Sequence, residues 1–243
     1  MVLPTPIYQY SRDWLVMQQG YPLYSFWLYK QLYVDPQTGN SVFQGQVNGT
    51  GNTKNAQQLN ATVPTSAREV MGNAAPKFFG GFNNTFSYGG FDLSILFTYE
   101  DGNNVLNLQR YFGEGGGTRD ANRVLLASQL KRWTTPGQIT EVPRETAYGN
   151  NYVLQQNSRF LEDGSFIRLK ELSFGYTLPS RATAPLHLKL VRVYFVGSNL
   201  LLLTKYTGPD PEANVTSIQT IQGLDLGTPP QPRSVQFGLN ITI

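Results

Sequence analysis

The segment FDLSILFTYE (91–100) alternates almost without a break: Phe91, Leu93, Ile95, Phe97 and Tyr99 fall on one side of an extended chain. Asp92, Ser94, Leu96, Thr98 and Glu100 fall on the other. A strand has a side-chain period of two, so such a run commits to one apolar and one polar face. The pattern recurs. In FGGFNNTFSY (79–88), Phe82, Phe86 and Tyr88 stand against Gly81, Asn83, Thr85 and Ser87. In LSFGYTL (172–178), Leu172, Phe174, Tyr176 and Leu178 stand against Ser173, Gly175 and Thr177. In SVQFGLNITI (234–243), Val235, Phe237, Leu239, Ile241 and Ile243 alternate with Gln236, Gly238, Asn240 and Thr242. LKLVRVYFVGSN (188–199) is less clean, with Val191, Val193 and Phe195 against Arg192 and Tyr194, and the aromatic-rich PLYSFWLYKQLYV (22–34) predicts a further strand without assigning its faces. One segment has helical spacing instead: in RDANRVLLASQLKRW (119–133), Val124, Leu125, Leu126, Leu130 and Trp133 predict one amphipathic helix, closed by Thr-Thr-Pro-Gly.

The connections sort these six strands. Gly89-Gly90 and PSRATAPLH (179–187) are short, whereas about 35–77, 101–165 and 201–233 are long. In an up-and-down meander, alternate connections lie at opposite ends, so every long loop emerges on one side and every short turn on the other. A soluble sandwich has no reason to sort its loops so; a transmembrane β-barrel does. Ten residues at about 3.3 Å each, tilted near 45°, cover roughly the 25 Å apolar band of such a barrel. The expected fold is therefore all-β: an antiparallel up-and-down barrel segment of about six strands with long outer loops and one short loop helix. Leu172, Phe174, Tyr176 and Leu178 are expected to face lipid, and Glu171 and Ser173 the lumen. Arg168 and Lys170 share the parity of Leu172, so they are expected above the hydrocarbon. The aromatic residues Trp14, Tyr21, Tyr24, Trp27, Tyr29 and Tyr33 are candidates for an interface belt, with sugar stacking as the alternative.

Composition narrows the function classes. Charged residues are only 14% of the 243, aromatics 13%, and the 24 glycines suit many turns. The net charge of +3 is scattered, with no basic run or nucleic-acid motif, so no nucleic-acid partner is expected. There is no cysteine, no apolar run of helix-spanning length, and no signal-like pattern in MVLPTPIYQY. Catalytic chemistry lacks parts, and no catalytic residue, cofactor or metal site is assigned. His187, the only histidine, reads as a turn residue. Glu100 and Asp101 are adjacent in a strand and point apart. GEGGG (113–117) lacks the Lys-Ser/Thr of a phosphate loop and reads as an outer loop. Asn48, Asn60, Asn83, Asn214 and Asn240 each begin an Asn-x-Thr triplet, read as compositional. TKYTGPDPE (204–212) reads as a loop fixed by Pro209 and Pro211, with ligand or lid contact by Tyr206, Asp210 and Glu212 as the alternative.

Six blocks taken together resemble one family. GYPLYSFWLYKQLYVDPQTGN, PKFFGGFNNTFSYGGFDLSILFTYEDGNNVLNLQRYF, KRWTTPGQITEVPR, SRFLEDGSFIRLKELSFGYTLPS, VRVYFVGSNLLLLTKYTGPDPE and GLDLGTPPQPRSVQFGLNITI are similar, in order and spacing, to the C-terminal barrel portion of SusC/RagA-family TonB-linked outer-membrane transporters. The resemblance implies a barrel of about 22 strands, of which this chain supplies the last few. It further implies residence in the outer membrane of a Bacteroidetes-type bacterium and uptake of oligosaccharides or peptides. A SusD-like surface lipoprotein would act as lid and TonB would supply energy through a plug. Plug, TonB-contacting segment and signal are absent from 1–243, so the chain is expected to be a fragment, inactive alone and not an enzyme. The alternative outside this family is a secreted all-β carbohydrate-binding module, whose apolar strand faces would point inward together; an extracellular glycan-processing enzyme would need convergent carboxylates, and none are found.

Overall fold

The computed structural model describes residues 7–9, 14–44, 67–114, 125–145, 156–215 and 221–243. The chain divides into two compact units. One combines Met1–Ala75, Asn104–Asp163 and Thr207–Thr228; the other combines Pro76–Asn103, Gly164–Tyr206 and Pro229–Ile243. In chain order the strands are β1 (Ile7–Gln9), β2 (Leu15–Met17), β3 (Ser25–Tyr29), β4 (Gln31–Val34), β5 (Ser41–Phe43), β6 (Arg68–Asn73), β7 (Phe78–Tyr88), β8 (Phe91–Asp101), β9 (Asn104–Asn107), β10 (Leu161–Asp163), β11 (Phe166–Thr177), β12 (Leu190–Thr204), β13 (Leu224–Asp225) and β14 (Ser234–Thr242). Two short α-helices, α1 (Leu108–Gly113) and α2 (Ser180–Thr183), accompany them.

The second unit is one antiparallel sheet of order β14-β12-β11-β8-β7, each strand beside its predecessor in the meander. β7 and β8 are joined through Gly89 and Gly90, both at positive φ (57° and 90°), the backbone that a two-residue hairpin turn demands. A Cβ on Gly90 would stand 2.6 Å from the Thr177 carbonyl oxygen, a second reason for glycine there. The β11–β12 link is also short, holding α2 and a 3-10 turn that ends at His187. The other connections leave from the opposite end of the sheet and contribute chain to the first unit.

Register turns the alternation into rows. Tyr88, Phe91, Tyr176, Val193 and Leu239 form one; Phe86, Leu93, Phe174, Phe195 and Phe237 the next. Further along the same face lie Ile95, Leu172 and Val235, then Phe82, Phe97, Leu169 and Leu201, then Tyr99, Ile167 and Leu203. No second layer covers this face within the unit, so Phe237 is 80% and Phe82 64% exposed. Area this apolar is stable only in apolar surroundings. The opposite face carries Ser94, Ser173 and Gln236 in one row, with Asp92, Gly175, Tyr194 and Gly238 in the next. There the Arg192 guanidinium forks onto Asp92 with bonds of 2.6 and 3.1 Å, over Gly175, where any Cβ would strike both side chains.

Three expectations are corrected. β11 carries a bulge between Leu169 and Glu171 that leaves Lys170 without a pairing partner and reverses the parity before it. Ile167 and Leu169 therefore join the apolar face, while Arg168, 2% exposed, lies on the polar side with its guanidinium 5.5 Å from the Phe166 ring. Residues 22–34 are not one strand of this sheet: they break at Lys30 into β3 and β4, which belong to smaller sheets of the first unit, and this leaves five long strands in the meander. Residues 125–133 hold only a 3-10 turn at Ala127–Lys131, with Leu130 84% exposed; 119–124 lie outside the described residues.

The first unit has the hydrophobic core. Trp14, Leu15, Phe26, Leu28, Leu106, Leu108, Tyr111, Phe160 and Leu224 pack together, with Tyr111 edge-on to Trp14 and to Phe160. Trp14 and Tyr29, expected in an interface belt, are buried in this unit. The aromatic cluster of the sheet lies instead beside the hairpin, where Phe91 packs on Tyr176 and Phe174.

Leu172→Arg, in the middle row of the apolar face, is expected to cost about 2–4 kcal/mol. It should sharply reduce folded protein in membrane fractions, whereas Ser173→Arg on the polar face should accumulate near the wild-type level. Equal losses for both would refute the assignment of faces.

Candidate functional site

In the first unit, α1 begins at Asn107, whose Oδ1 accepts the Arg110 backbone N–H at 3.0 Å, capping the helix. Leu108 and Tyr111 turn into the core, which sends Arg110 and the C-cap Glu114 to another side, four residues apart and in contact. The 3-10 turn Ser158–Phe160 is capped in the same way by Asn157, and it presents Arg159 while burying Phe160. β10 pairs with β9 and brings Glu162 beside the helix start.

These residues form one chain of ion pairs. Arg110 donates through Nε to Glu114 Oε1 (2.9 Å) and through Nη1 to Glu162 Oε1 (2.8 Å). Arg159 Nη2 donates to Glu114 Oε2 at 2.6 Å, and the Ser128 hydroxyl donates to Glu114 Oε1 at 2.8 Å. Glu162 also accepts from the Thr207 backbone N–H and hydroxyl, each at 2.8 Å, and from Asn107 Nδ2 at 3.3 Å. The network thus ties together two long connections, through 107–114 and 158–162 of the β8–β11 connection and Thr207 of the β12–β14 connection.

Burial alone would raise the Glu114 carboxyl, but the Arg110 hydrogen bond and the charges of Arg159 and Arg110 outweigh it and hold the group below its ordinary value. Burial likewise pulls against Arg110, and its bonds to Glu114 and Glu162 leave it raised. Arg159 is the exception. Burial pushes it down to about 10; the attraction of Glu114 and Glu141 does not make up the deficit, and Arg110 repels it.

A cavity of about 940 Å3 opens beside this network, lined by Arg110, Glu114 and Arg159 together with Tyr33, Pro36 and Ile139. Both Glu114 oxygens are occupied by donors, so it is no free general base. No cluster of three or more metal-ligating side chains occurs among the described residues. What the arrangement can do is hold loops in place and offer donors to a ligand.

The residues singled out from sequence are not brought together here. His187 is an exposed turn residue at φ 55°. Glu100 and Asp101 sit in successive positions of β8, on opposite faces. Asp210, 2% exposed, accepts the Glu212 backbone N–H at 3.0 Å, the loop-fixing role. In GEGGG only Gly113 and Glu114 are described, and Glu114 belongs to the network; Asn48 and Asn60 lie outside the described residues. Sequence reasoning passed over Arg110, Arg159 and Glu162. The available signal was Asn107 followed by Arg110 and Glu114: a cap, then a pair at helical spacing.

No family model matches the chain. It is 32% identical over 95% of its length to TonB-dependent receptor P3 of Formosa agariphila, and 34% identical over 74% to TonB-dependent receptor P26 of the same organism. Among solved structures, the RagAB peptide transporter superposes on 96% of the chain with TM-score 0.79 at 27% identity. The RagAB peptide importer in its open-open state covers 97% with TM-score 0.74. The chain belongs to the SusC/RagA-type TonB-dependent receptors. It spans 23% of the P3 receptor and 24% of the RagAB chain. As part of a TonB-dependent receptor it resides in the outer membrane, which supplies the apolar surroundings that the sheet's exposed face requires.

Removing one partner of a buried ion pair leaves an uncompensated charge, so Glu114→Ala in the full receptor is expected to loosen these connections by about 3–5 kcal/mol. Hydrogen exchange at 108–114 and 158–162 reads this directly. Because the folded Glu114 carboxyl is depressed, its contribution is complete above about pH 4.5, its reference value, and is lost as pH falls through the folded value. Exchange in wild type should accelerate over that range, with a smaller response in the variant; an identical response would assign the acid sensitivity elsewhere.

Proposed function

We propose that this chain supplies wall and outer loops to a TonB-dependent nutrient importer that takes up oligosaccharides or peptides, as its C-terminal barrel portion. The observation that carries the reading is the sheet itself: five meandering strands, one continuous bare apolar face, a polar face opposite, and every long connection at one end. That arrangement suits a barrel wall between lipid and a watery lumen, and it gives the alternative of a secreted binding module no inward apolar layer. The likeness to the RagAB peptide transporter supports the same reading.

In this reading the chain does no chemistry. Lipid-facing rows anchor it, the Asp92–Arg192 side lines the passage, and the loop unit meets substrate together with a SusD-like surface lipoprotein. Energy comes from the TonB complex acting on the plug, which lies outside these residues.

The test is uptake. Cells expressing the full-length receptor with its lipoprotein should accumulate labelled oligosaccharide or peptide only when TonB is present, and deleting 125–145 should lower uptake while leaving the receptor in the membrane. The 243-residue chain alone, reconstituted into liposomes, should give only background. Uptake that persists without TonB, or that the isolated chain supports, would refute the proposal.

A further inference from the structure

One side chain breaks the lipid-facing pattern of the sheet. From the Tyr88 row to the Tyr99 row, the paired positions on that face are apolar, aromatic or glycine among the described residues, except for Asn84. Asn84 stands opposite Ile95, in the row of Leu172 and Val235, with Phe82 and Phe86 on either side of it along β7. Four residues separate it from Tyr88. On a strand tilted near 45° that is about 9 Å along the bilayer normal from the aromatic hairpin end, inside the apolar band.

The Asn84 carboxamide makes no hydrogen bond among the described residues, and its polar atoms are not closed off from the surroundings. A carboxamide has N–H donors and an acceptor oxygen to satisfy, and hydrocarbon matches neither. The partner must therefore be protein, and position names it. β7 is an outer strand of the sheet and pairs with β8 alone, so its other edge carries backbone groups that lipid cannot satisfy. Another strand of the receptor must pair there, and the P3 relative, of which this chain spans 23%, has ample length to supply one. The residue opposite Asn84 on that strand would have its Cβ about 4.5–5.5 Å away, within reach of a side-chain hydrogen bond.

We propose that Asn84 hydrogen-bonds a hydroxyl or carboxamide side chain on this neighbouring strand, and that the pair pins the register of the seam between the two. Alternation forbids a slip of one residue, which would set the apolar face of one strand against the polar face of the other, but it permits a slip of two. A slip of two breaks a polar contact, much as a single Asn fixes register in a coiled-coil seam. β7 needs such a pin because Gly80 and Gly81 offer a partner strand no side chain to pack against. The proposal rests on the barrel-wall reading of the sheet and not on the nature of the cargo.

The experiment uses the full-length receptor in detergent, on a background without other cysteines. Asn84→Cys is combined in turn with single cysteines along the strand that adjoins β7, and oxidation by copper phenanthroline finds the position opposite. The native residue there should be Ser, Thr, Asn, Gln or Tyr. Asn84→Leu alone should unfold about tenfold faster in urea, because the partner is left unmatched in hydrocarbon. Leu at both positions should bring the rate back to within about twofold, since both polar groups are gone. A Ser87→Cys reporter should cross-link at one position in the receptor with Asn84 intact, and at a second position two residues away once Asn84→Leu is introduced. Unfolding that Asn84→Leu slows or leaves alone, or an unchanged reporter pattern, overturns the proposal. An apolar residue opposite Asn84 also overturns it and, if Asn84→Leu then dissociates receptor oligomers, transfers the contact to a second copy. No cross-link at any position would instead count against the barrel-wall reading itself, and the proposal would fall with it.

Discussion

Inside a bilayer no water is available to a backbone amide, so each N–H and C=O left unpaired costs several kcal/mol. The sheet depends on meeting that constraint. β8, β11 and β12 are paired on both sides, and their ladders run for nine or more residues with one irregularity. Once those ladders are fixed, side-chain period fixes the faces, and the faces fix what each residue must be. Phe86, Leu93, Phe174, Phe195 and Phe237 are apolar because their row has lipid on the outside; Ser94 and Ser173, one step along, are not.

Two kinds of charge management coexist in the chain. On the sheet, the pair Asp92–Arg192 reaches across a strand whose intervening residue is Gly175, and both side chains keep about a third of their surface exposed. In the loop unit, Glu114 is buried and serves two guanidiniums at once. The first arrangement keeps a watery surface polar. The second holds separate connections in register, which gives irregular segments the rigidity that a ligand site requires.

Much of the sheet was legible in the sequence because its chemistry repeats every two residues. β7, β8 and β14 read correctly from alternation and from Gly89-Gly90, and β12 was placed with its faces right but runs on to Thr204, into what reads as loop. β11 misled before residue 171 because one inserted residue inverts parity without altering composition. The loop unit was poorly legible. β3 is buried on both sides, so SFWLY shows no alternation to read, and the apolar spacing at 125–133 does not by itself make a helix. The ion-pair chain was hidden because Arg110, Arg159 and Glu162 come from segments about 50 residues apart and meet only through the β9–β10 pairing.

The bulge at Lys170 has a consequence for how such a wall changes over evolutionary time. Exchanging one lipid-facing side chain for another alters one contact, and losing Lys170 would only close the bulge: Leu169 and Glu171, already opposite Phe97 and Leu96, would become neighbours in a regular ladder with every face kept. Losing Leu169 instead, with the bulge kept, would send Arg168 to the hydrocarbon and Ile167 to the polar side. Lys170 is thus a slack link, a place where the strand can change length by one without turning a side chain over.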